Sequence, residues 1–486
     1  MLTQQRMAVS MLSLMVAGLL LVTVGSFRRM PVRCESRCSR KQSLIPRVYS
    51  TEVDDSIKTY NENIPLVGGN EPPGLKKNGW LFTILSAIAI AVSYADRSNL
   101  STAIIPMAEH FKWDSFFSGV VLSSFWAGYA LTQILGGRLA DKFGGEKLLA
   151  GAITLWSLCT YFTPFVAGNN QLLLLVRVLL GAGEGLALPS IHSMLQKYVN
   201  KSEKSSSASI ITAACYLGAL VSNILSPLII SKSNWETLFV SFAAIPPIIW
   251  LPLWYIFFIK TSDRNSTAAT TPTAEVAVAS QASLRELLKS PPVWAIIAAQ
   301  YGQSWGMIGL LSWLPTYYSQ KFGIPIASLG SFTALPYLLQ MVVAVAAGFT
   351  ADKLIESGVR VIAVRKLFQL VGMLTPALCL GYCSYAQLPA ITTAALITAG
   401  SAISALTVSS VSCNHFDIAP KNAGTVFGIG NTASCIGGLI AVPVSGFIYD
   451  YTHSWDSVFL LFAAHYVGGA LVYTLFASDE PIAADK

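Results

Sequence analysis

Twelve apolar runs, each about as long as a lipid bilayer is thick, constrain this chain more than any other feature of its sequence. A helix needs about 20 apolar residues to cross a hydrocarbon core of about 30 Å. Backbone groups in lipid must find partners within their own segment, so each run predicts a transmembrane α-helix. The predicted spans are 80–100, 116–137, 147–167, 171–193, 208–230, 237–259, 292–318, 328–350, 362–384, 388–412, 423–447 and 455–477. The chain is therefore expected to be an all-α membrane protein.

Composition and loop charge agree with this expectation. Hydrophobic residues make up 53% of the chain and charged residues 12%, about half the charged fraction of soluble domains. The predicted loops place 17 lysines and arginines on one side of the membrane and three, Lys112, Lys232 and Lys321, on the other. The basic side, called the inner side below, corresponds to the cytosol-like face and holds both ends of the helical core.

The net charge of +7 does not predict a nucleic-acid partner, because nine of the 32 basic residues precede residue 60. The expected partners are a small anionic substrate and the lipid bilayer, with no nucleic acid, and the chain is expected to be a monomer. The eight cysteines show no disulfide framework. Cys379 and Cys383 are one helical turn apart but have no nearby histidine or carboxylate, so no metal site is predicted.

The first 75 residues are interpreted as a targeting leader followed by a disordered tether. Residues 8–24 resemble the apolar region of a signal peptide, and the Arg- and Ser-rich segment that follows resembles a transit peptide. Together they indicate a plastid membrane. The alternatives are a thirteenth membrane helix or a plain secretory signal, which would fit a vacuolar, lysosomal or plasma membrane. Residues 48–75 are polar with Pro and Gly, which favours disorder.

A long low-complexity segment divides the twelve helices into six and six. It covers 260–290 and contains "TSDRNSTAATTPTAEVAVASQAS". The predicted domains are an N-terminal bundle (76–259), this loop, a C-terminal bundle (291–478) and a tail (479–486).

An internal repeat supports the division: "GGRLADKFGGEK" (136–147) follows the second helix and "AGFTADKLIESG" (347–358) the eighth. Two pseudo-symmetric six-helix halves with the substrate path between them resemble the major facilitator superfamily. The first copy also resembles that superfamily's gating loop, whose residues here are Gly137, Asp141, Lys142 and Gly144. The second copy lacks the closing glycine pattern of the first, which weakens the expectation of a latch there.

Four charged residues lie well inside the predicted spans: Asp96 and Arg97 on the first helix, and Arg177 and Glu184 on the fourth. A charge at membrane depth is costly, so such residues usually face a cavity and a partner. The helix rise of 1.5 Å per residue places both arginines in the outer half of the membrane at similar depth. Glycines at 181, 183 and 185 are expected to let other helices approach closely.

This chemistry suits an anion and a coupling ion. The planar guanidinium fork matches carboxylate or phosphate, so Arg97 and Arg177 are predicted to bind the substrate. Burial favours the neutral form of a carboxylate and a nearby cation favours the ionised form, so Glu184, with Asp96, is predicted to carry the coupling ion. The alternative is a static ion-pair cluster that fixes helix packing.

The segments "YADRSNLSTAIIPMA", "SSFWAGYALTQILGG", "RVLLGAGEGLALPS", "SWLPTYY" and "CNHFDIAPKNAGTVFGIGNT" resemble blocks of the anion:cation (phosphate) symporter family. That family includes sialin, the vesicular glutamate transporters and the plant plastid phosphate transporters. The resemblance, over roughly residues 80–480, implies that Arg97 and Arg177 are substrate arginines and Glu184 the protonatable glutamate. It also implies that Tyr129 and Asn431 line the cavity.

Two departures disfavour a vesicular glutamate transporter: Gln303 stands where those members have an arginine, and Leu122 where they have a histidine. The plastid phosphate branch is favoured, and some of its members are implied to move ascorbate or other organic anions. The expected function is secondary-active transport of an anion, first of all inorganic phosphate, coupled to H⁺ or Na⁺ by alternating access. The alternative is an organic anion such as ascorbate, glutamate or another carboxylate.

Weaker candidates are His415 and Asp417, as a gate or cation site or else a structural network at a helix end. Tyr301 and Tyr337 are candidate cavity residues, although aromatic residues in membrane helices often pack or face the interface. His465 is expected to be a packed residue. No catalytic residue, metal or cofactor other than the coupling ion is predicted. An intramembrane enzyme would need a nucleophile–base pair or metal cluster at depth, and a sensor would usually append a signalling domain.

Overall fold

The computed structural model describes residues 79–199, 203–262, 284–420 and 422–482. The predicted leader, the tether and most of the loop between the halves lie outside these residues. Within them the regular structure is entirely helical. The α-helices are α1 (Gly79–Phe111), α2 (Ser115–Phe143), α3 (Gly145–Val166), α4 (Asn170–Gly185), α5 (Ala187–Tyr198), α6 (Lys204–Lys232), α7 (Trp235–Ile245), α8 (Leu251–Ser262), α9 (Leu284–Leu287), α10 (Pro291–Phe322), α11 (Gly330–Thr333), α12 (Leu335–Glu356), α13 (Val361–Tyr385), α14 (Ala390–Ser404), α15 (Val411–Ile418), α16 (Ala423–Thr452) and α17 (Trp455–Phe476).

The described residues form twelve membrane segments, which confirms the predicted fold class. Ten of them are long and apolar enough to cross a bilayer. The other two, α2 and α10, have 29 and 32 residues but carry more Gly, Ser, Gln and aromatic residues. Both pack against α16, so part of their surface faces protein rather than lipid. Their lower hydropathy follows from that position.

The fourth and tenth membrane segments, expected as single helices, are interrupted. α4 and α5 are separated by a turn at Leu186. Pro189 follows closely, and in a continuous helix its ring would clash with the carbonyl of residue 185. In the tenth segment a 3₁₀ stretch, Ala405–Ser409, separates α14 from α15. There Thr407 Oγ1 donates to the Ser404 carbonyl, 2.7 Å away, a local bond that competes with helix geometry.

The predicted gating loop is largely helical. Gly137, Asp141 and Lys142 lie in the last turns of α2, so the expectation that they form a loop was wrong. The turn itself is Gly144, whose φ of +84° suits glycine. The second repeat lacks the glycine pair of the first, but it also closes at a glycine with positive φ, Gly358 (+93°). The side chain of Asp141 lies outside the described residues, and a latch there stays a prediction.

The two halves pack against each other mainly on the outer side of the membrane. The cluster of buried apolar residues on that side joins both halves, for example Leu122 with Trp313. On the inner side the first half has its own cluster around Phe82 and Trp156, to which Cys435 is the only contributor from the described residues of the second half. The described residues therefore form a bundle whose halves share an apolar core at the outer end.

A helix end reinforces this outer contact. The carboxylate of Asp450, near the outer end of α16, accepts hydrogen bonds from the backbone N–H groups of Ser115 (3.2 Å) and Phe116 (2.8 Å). These groups belong to the first turn of α2, which has no partners within its own helix for them. A carboxylate there also meets the positive end of the helix dipole. Asp450 thus ties the second half to the first.

Candidate functional site

The centre of the candidate site is an ion pair between the first and fourth membrane segments. Arg97 Nη2 donates to Glu184 Oε2 over 2.9 Å. Ser93, one turn before Arg97 on α1, donates its hydroxyl to the same oxygen over 2.7 Å. The side chain of Glu184 is fully buried, whereas that of Arg97 is 15% exposed. Two of the four charged residues singled out from the sequence are therefore in direct contact, and the Arg97 end of the pair is accessible.

This pair is incompletely satisfied. Glu184 Oε1 and Arg97 Nε are buried and have no hydrogen-bond partner among the described residues. A buried polar atom without a partner is unfavourable, and more so when the group is charged. Each member of the pair can therefore accept a further partner: a proton or cation on the carboxylate, and an anion on the guanidinium.

Four aromatic rings surround the Arg97 guanidinium, a cage that the sequence did not predict. Their centroids lie 4.3 to 5.2 Å from its central carbon and belong to Tyr94, Phe125, Trp126 and Tyr129. The faces of such rings attract a cation. Phe125 and Trp126 precede Tyr129 by four and three residues, so both lie on the same side of α2 as Tyr129. That spacing was the available signal, and Tyr129 was the only one of the four predicted.

Close contact between α2 and α4 places the cage over Glu184. A Cβ atom built on Gly181 would lie 2.0 Å from the carbonyl oxygen of Phe125, so only glycine fits at this distance. The prediction that glycines in this segment admit other helices is thereby confirmed.

Asp96 and Arg177 lie deeper in the first half. Asp96 Oδ2 accepts from the Thr160 hydroxyl of α3 over 3.2 Å. Arg177 is 2% exposed, its charged neighbours include Glu184 and Asp96, and its Nε has no partner among the described residues. Adjacent residues point about 100° apart on a helix, so Asp96 faces α3 while Arg97 faces α2 and α4. The structure thus brings all four charged residues together, with Arg97 nearest the surface.

A chain of polar contacts leads from the cage to the second half. Gln133, one turn after Tyr129 on α2, donates its amide N–H to the Tyr129 hydroxyl over 3.3 Å. Its carbonyl oxygen accepts from Asn431 Nδ2 on α16. Tyr129 and Asn431, both predicted as cavity residues, are therefore linked by Gln133, which the sequence did not single out. This contact joins the halves at the depth of the charged cluster.

The second half presents neutral polar groups at mid-membrane. Gln303 on α10 donates to the Thr407 hydroxyl of the 3₁₀ stretch over 2.6 Å. Tyr337 on α12 lies with its hydroxyl beside Ser98 and Asn223 of the first half, and so spans the interface. Leu122, the other departure from the glutamate transporters, belongs to the outer apolar core.

Other predicted residues lie elsewhere. The Tyr301 ring is 6.2 Å from the ring of His465 on α17, and Trp305 stacks on the same histidine with centroids 3.9 Å apart. His465 is thus packed, as expected, and Tyr301 faces α17 rather than Arg97.

His415 and Asp417 lie at the inner end of the tenth segment, away from the charged cluster. Arg365 on α13 donates to Asp417 through Nε (2.9 Å) and Nη2 (3.5 Å), and to the Ser409 carbonyl through Nη1 (2.7 Å). His415 is buried, with its ring against Phe416 and Phe427. These contacts match the alternative interpretation, a structural network at a helix end. A role for His415 and Asp417 in coupling stays a prediction.

The described residues form two halves of six membrane segments, and the fourth segment of each half is broken. Buried charges lie beside the break in the first half. These are features of a secondary transporter.

Comparisons with known proteins agree with this architecture. The model of the Major Facilitator Superfamily matches residues 86–442. The chain is 36% identical over 414 residues to the Ascorbate transporter, chloroplastic, of Arabidopsis thaliana, covering 83% of this chain and 75% of that one. It is 34% identical over 414 residues to the Sodium-dependent phosphate transport protein 1, chloroplastic, of the same plant, with coverage of 83% and 80%.

Among solved structures, the fold is similar to the inward open conformation of the xylose transporter XylE from E. coli. The TM-score is 0.65 at 16% identity, with 82% of this chain and 97% of that chain covered. This chain belongs to the Major Facilitator Superfamily, within its branch of plastid anion and phosphate transporters. It is a multi-pass plastid membrane protein and a transporter rather than an enzyme. The predicted family and localisation are confirmed, while the leader itself lies outside the described residues.

Proposed function

We propose that this chain is a secondary-active transporter that moves a small anion, first of all inorganic phosphate, coupled to H⁺ or Na⁺ by alternating access. The observation that carries the proposal is the Arg97–Glu184 pair, in which one carboxylate oxygen and the guanidinium Nε are buried without partners. It lies beside the break in the fourth segment, where transporters of this architecture bind substrate and coupling ion.

Competition for Arg97 couples the two ions. While Glu184 is ionised, its carboxylate holds Nη2 of Arg97. A proton or Na⁺ on Glu184 neutralises that carboxylate, and the guanidinium becomes free to bind a phosphate oxygen pair. The anion then keeps Arg97 away from Glu184, so each ligand favours binding of the other. When both leave, the ion pair forms again.

Arg177 and Asp96 support this exchange from inside the bundle. Arg177 adds positive charge next to Glu184 and is partly balanced by Asp96. An anion near Arg97 is therefore attracted by two cations while only one of them is accessible. The name of the sodium-dependent phosphate relative supports Na⁺ as an alternative coupling ion.

Alternating access would use the contact between the halves. The outer sides are joined by an apolar core and by Asp450, and Gln133 meets Asn431 at the depth of the site. A rocking motion that opens the outer contact and closes the inner one would expose the site to the opposite side.

An organic anion is the second candidate. Gln303, Thr407 and Asn431 provide neutral donors and acceptors that suit a hydroxyl-bearing substrate better than a bare phosphate. The chloroplastic ascorbate relative supports this candidate.

Uptake of labelled phosphate, ascorbate and glutamate into proteoliposomes tests the proposal, with an imposed pH gradient, Na⁺ gradient or voltage. We expect concentrative phosphate uptake driven by one of the cation gradients. Arg97→Gln and Arg177→Ala should each lower kcat/KM roughly 10- to 100-fold, since hydrogen bonds to charged groups contribute about 1.5–3 kcal/mol. Arg285→Gln, at an exposed arginine of α9, is the matched control.

The outcomes separate the candidates. Uptake of ascorbate or another organic anion without phosphate uptake would select the second candidate. Full concentrative uptake by Arg177→Ala would overturn its proposed role in attracting the anion, and uptake unaffected by any gradient would rule out coupling.

A further inference from the structure

A groove on the inner half of the bundle lies outside the site described above. It is formed by the inner ends of α2 and α3 and by the turn between α4 and α5, and its volume is about 500 Å³. Its charged lining residues are Lys142 and Lys147, and the remainder are apolar, including Leu148, Leu155 and Leu186. The lysines lie at the inner membrane boundary, and the apolar part extends towards mid-membrane.

The floor of the groove is open at Gly151. A Cβ atom there would have no neighbour within 4 Å. Beyond it, α3 presents exposed apolar side chains along the same face, Leu155, Leu158 and Phe162, at helical spacing. A hydrocarbon chain that enters at Gly151 would therefore meet apolar surface along the length of α3.

Among the side chains that the structure describes, the charges at the rim are positive. Glu146, which separates Lys147 from the helix start, is buried and accepts hydrogen bonds from Lys197 (2.6 Å) and Tyr198 (2.8 Å), so its charge is directed into the bundle. Both rim lysines are exposed. Basic pockets between membrane helices on this side suit phosphate head groups of lipids.

We propose that this groove binds an acidic phospholipid, with its phosphate between Lys142 and Lys147 and one acyl chain along Gly151 and Leu155. A free phosphate ion would satisfy the lysines but leave the apolar lining unfilled, so the shape and chemistry together select a lipid. Leu186 lies at the helix break, two residues after Glu184. The bound lipid would therefore brace the segment that carries the coupling carboxylate.

Native mass spectrometry of the purified full-length protein, titrated with phosphatidylglycerol or phosphatidylcholine, tests this proposal without relying on transport. We expect preferential binding of phosphatidylglycerol. K142Q/K147Q should weaken that binding roughly thirtyfold, since each basic residue near an anionic lipid contributes about 1 kcal/mol. K289Q/K353Q, which alters two exposed lysines elsewhere on the inner side, should bind as the unmodified protein does.

Gly151→Trp provides an independent test, because it fills the floor of the groove and leaves the lysines in place. It should also lose phosphatidylglycerol. Any of three results would overturn the proposal. The two double variants could bind phosphatidylglycerol equally, the unmodified protein could bind the two lipids equally, or Gly151→Trp could leave phosphatidylglycerol binding unchanged. Full competition by glycerol phosphate would show that the site recognises a free anion instead of a lipid.

Discussion

Arg97 and Glu184, 87 residues apart in the chain, meet through one hydrogen bond of 2.9 Å that uses only one of the two carboxylate oxygens. The other oxygen is buried without a partner among the described residues. Breaking a buried pair by removing one member leaves an uncompensated charge, which is strongly unfavourable. If the Arg97–Glu184 pair opens during transport, each residue must therefore gain another partner as it loses the first. Substitutions that remove one of these partners test the site.

Glu184→Gln should abolish gradient-driven uptake while anion exchange across proteoliposomes continues. Glutamine keeps the shape of the side chain but holds no exchangeable charge, so Arg97 stays free for the anion. Concentrative uptake and counterflow, measured on the same preparation, report the two activities. Glu109→Gln, at the exposed outer end of α1, should retain both. Equal loss of uptake and counterflow in Glu184→Gln would remove its coupling role.

Gln133→Ala and Asn431→Ala should have similar effects on the initial transport rate, and the double variant should add little to either. The two side chains form one contact between the halves, and partners in one contact typically show interaction energies of about 0.5–3 kcal/mol. A double-mutant cycle on initial rates measures this coupling. Additive effects would show that the contact has no role in the transport cycle.

Asp450→Ala should weaken closure of the outer side. The substitution removes the acceptor for two N–H groups at the start of α2, and such a cap contributes about 0.5–2 kcal/mol. Spin labels at Lys112→Cys and Ser328→Cys, both exposed on the outer side, would report the distance between the halves in a background without accessible native cysteines. We expect a roughly 2- to 30-fold larger population at long distance, and an unchanged distribution would contradict the assignment.

Gly181→Ala should lower the thermal stability of the purified protein. Alanine is ordinarily the better helix former by about 1 kcal/mol, but its methyl group would lie 2.0 Å from the Phe125 carbonyl and force α2 and α4 apart. Gly468→Ala on α17, where nothing lies within 4 Å, should leave stability equal or higher. The prediction fails if both variants unfold at the same temperature.

The charged cluster could be predicted because ionised side chains are rare and costly in apolar segments. Asp96, Arg97, Arg177 and Glu184 stand out on composition alone, and helix rise places the two arginines at similar depth. The fold class followed from the length of the apolar runs. Both predictions rest on large free-energy costs, those of placing a charge or an unpaired backbone group in lipid, which the surrounding structure rarely overrides.

The partners of that cluster could not be predicted in the same way. Gln133 is an ordinary neutral residue, and its contact with Asn431 depends on how the two halves meet. The sequence also could not show which way Tyr301 faces, because one residue along a helix turns the side chain by about 100°; its ring lies beside His465 on α17. The end of α2 was placed too early, since a helix can continue beyond the bilayer when its residues turn polar.

The distribution of charge between the halves also has a consequence for the evolution of substrate specificity. In the described residues, the mid-membrane arginines and carboxylates belong to the first half, while Gln303, Thr407 and Asn431 of the second half are neutral. Mutations in the neutral half would therefore alter which substrate fits while leaving in place the residues proposed to couple transport to an ion gradient. Transporters with this division of charge can therefore evolve new substrate specificities through successive single substitutions, with each intermediate still able to transport.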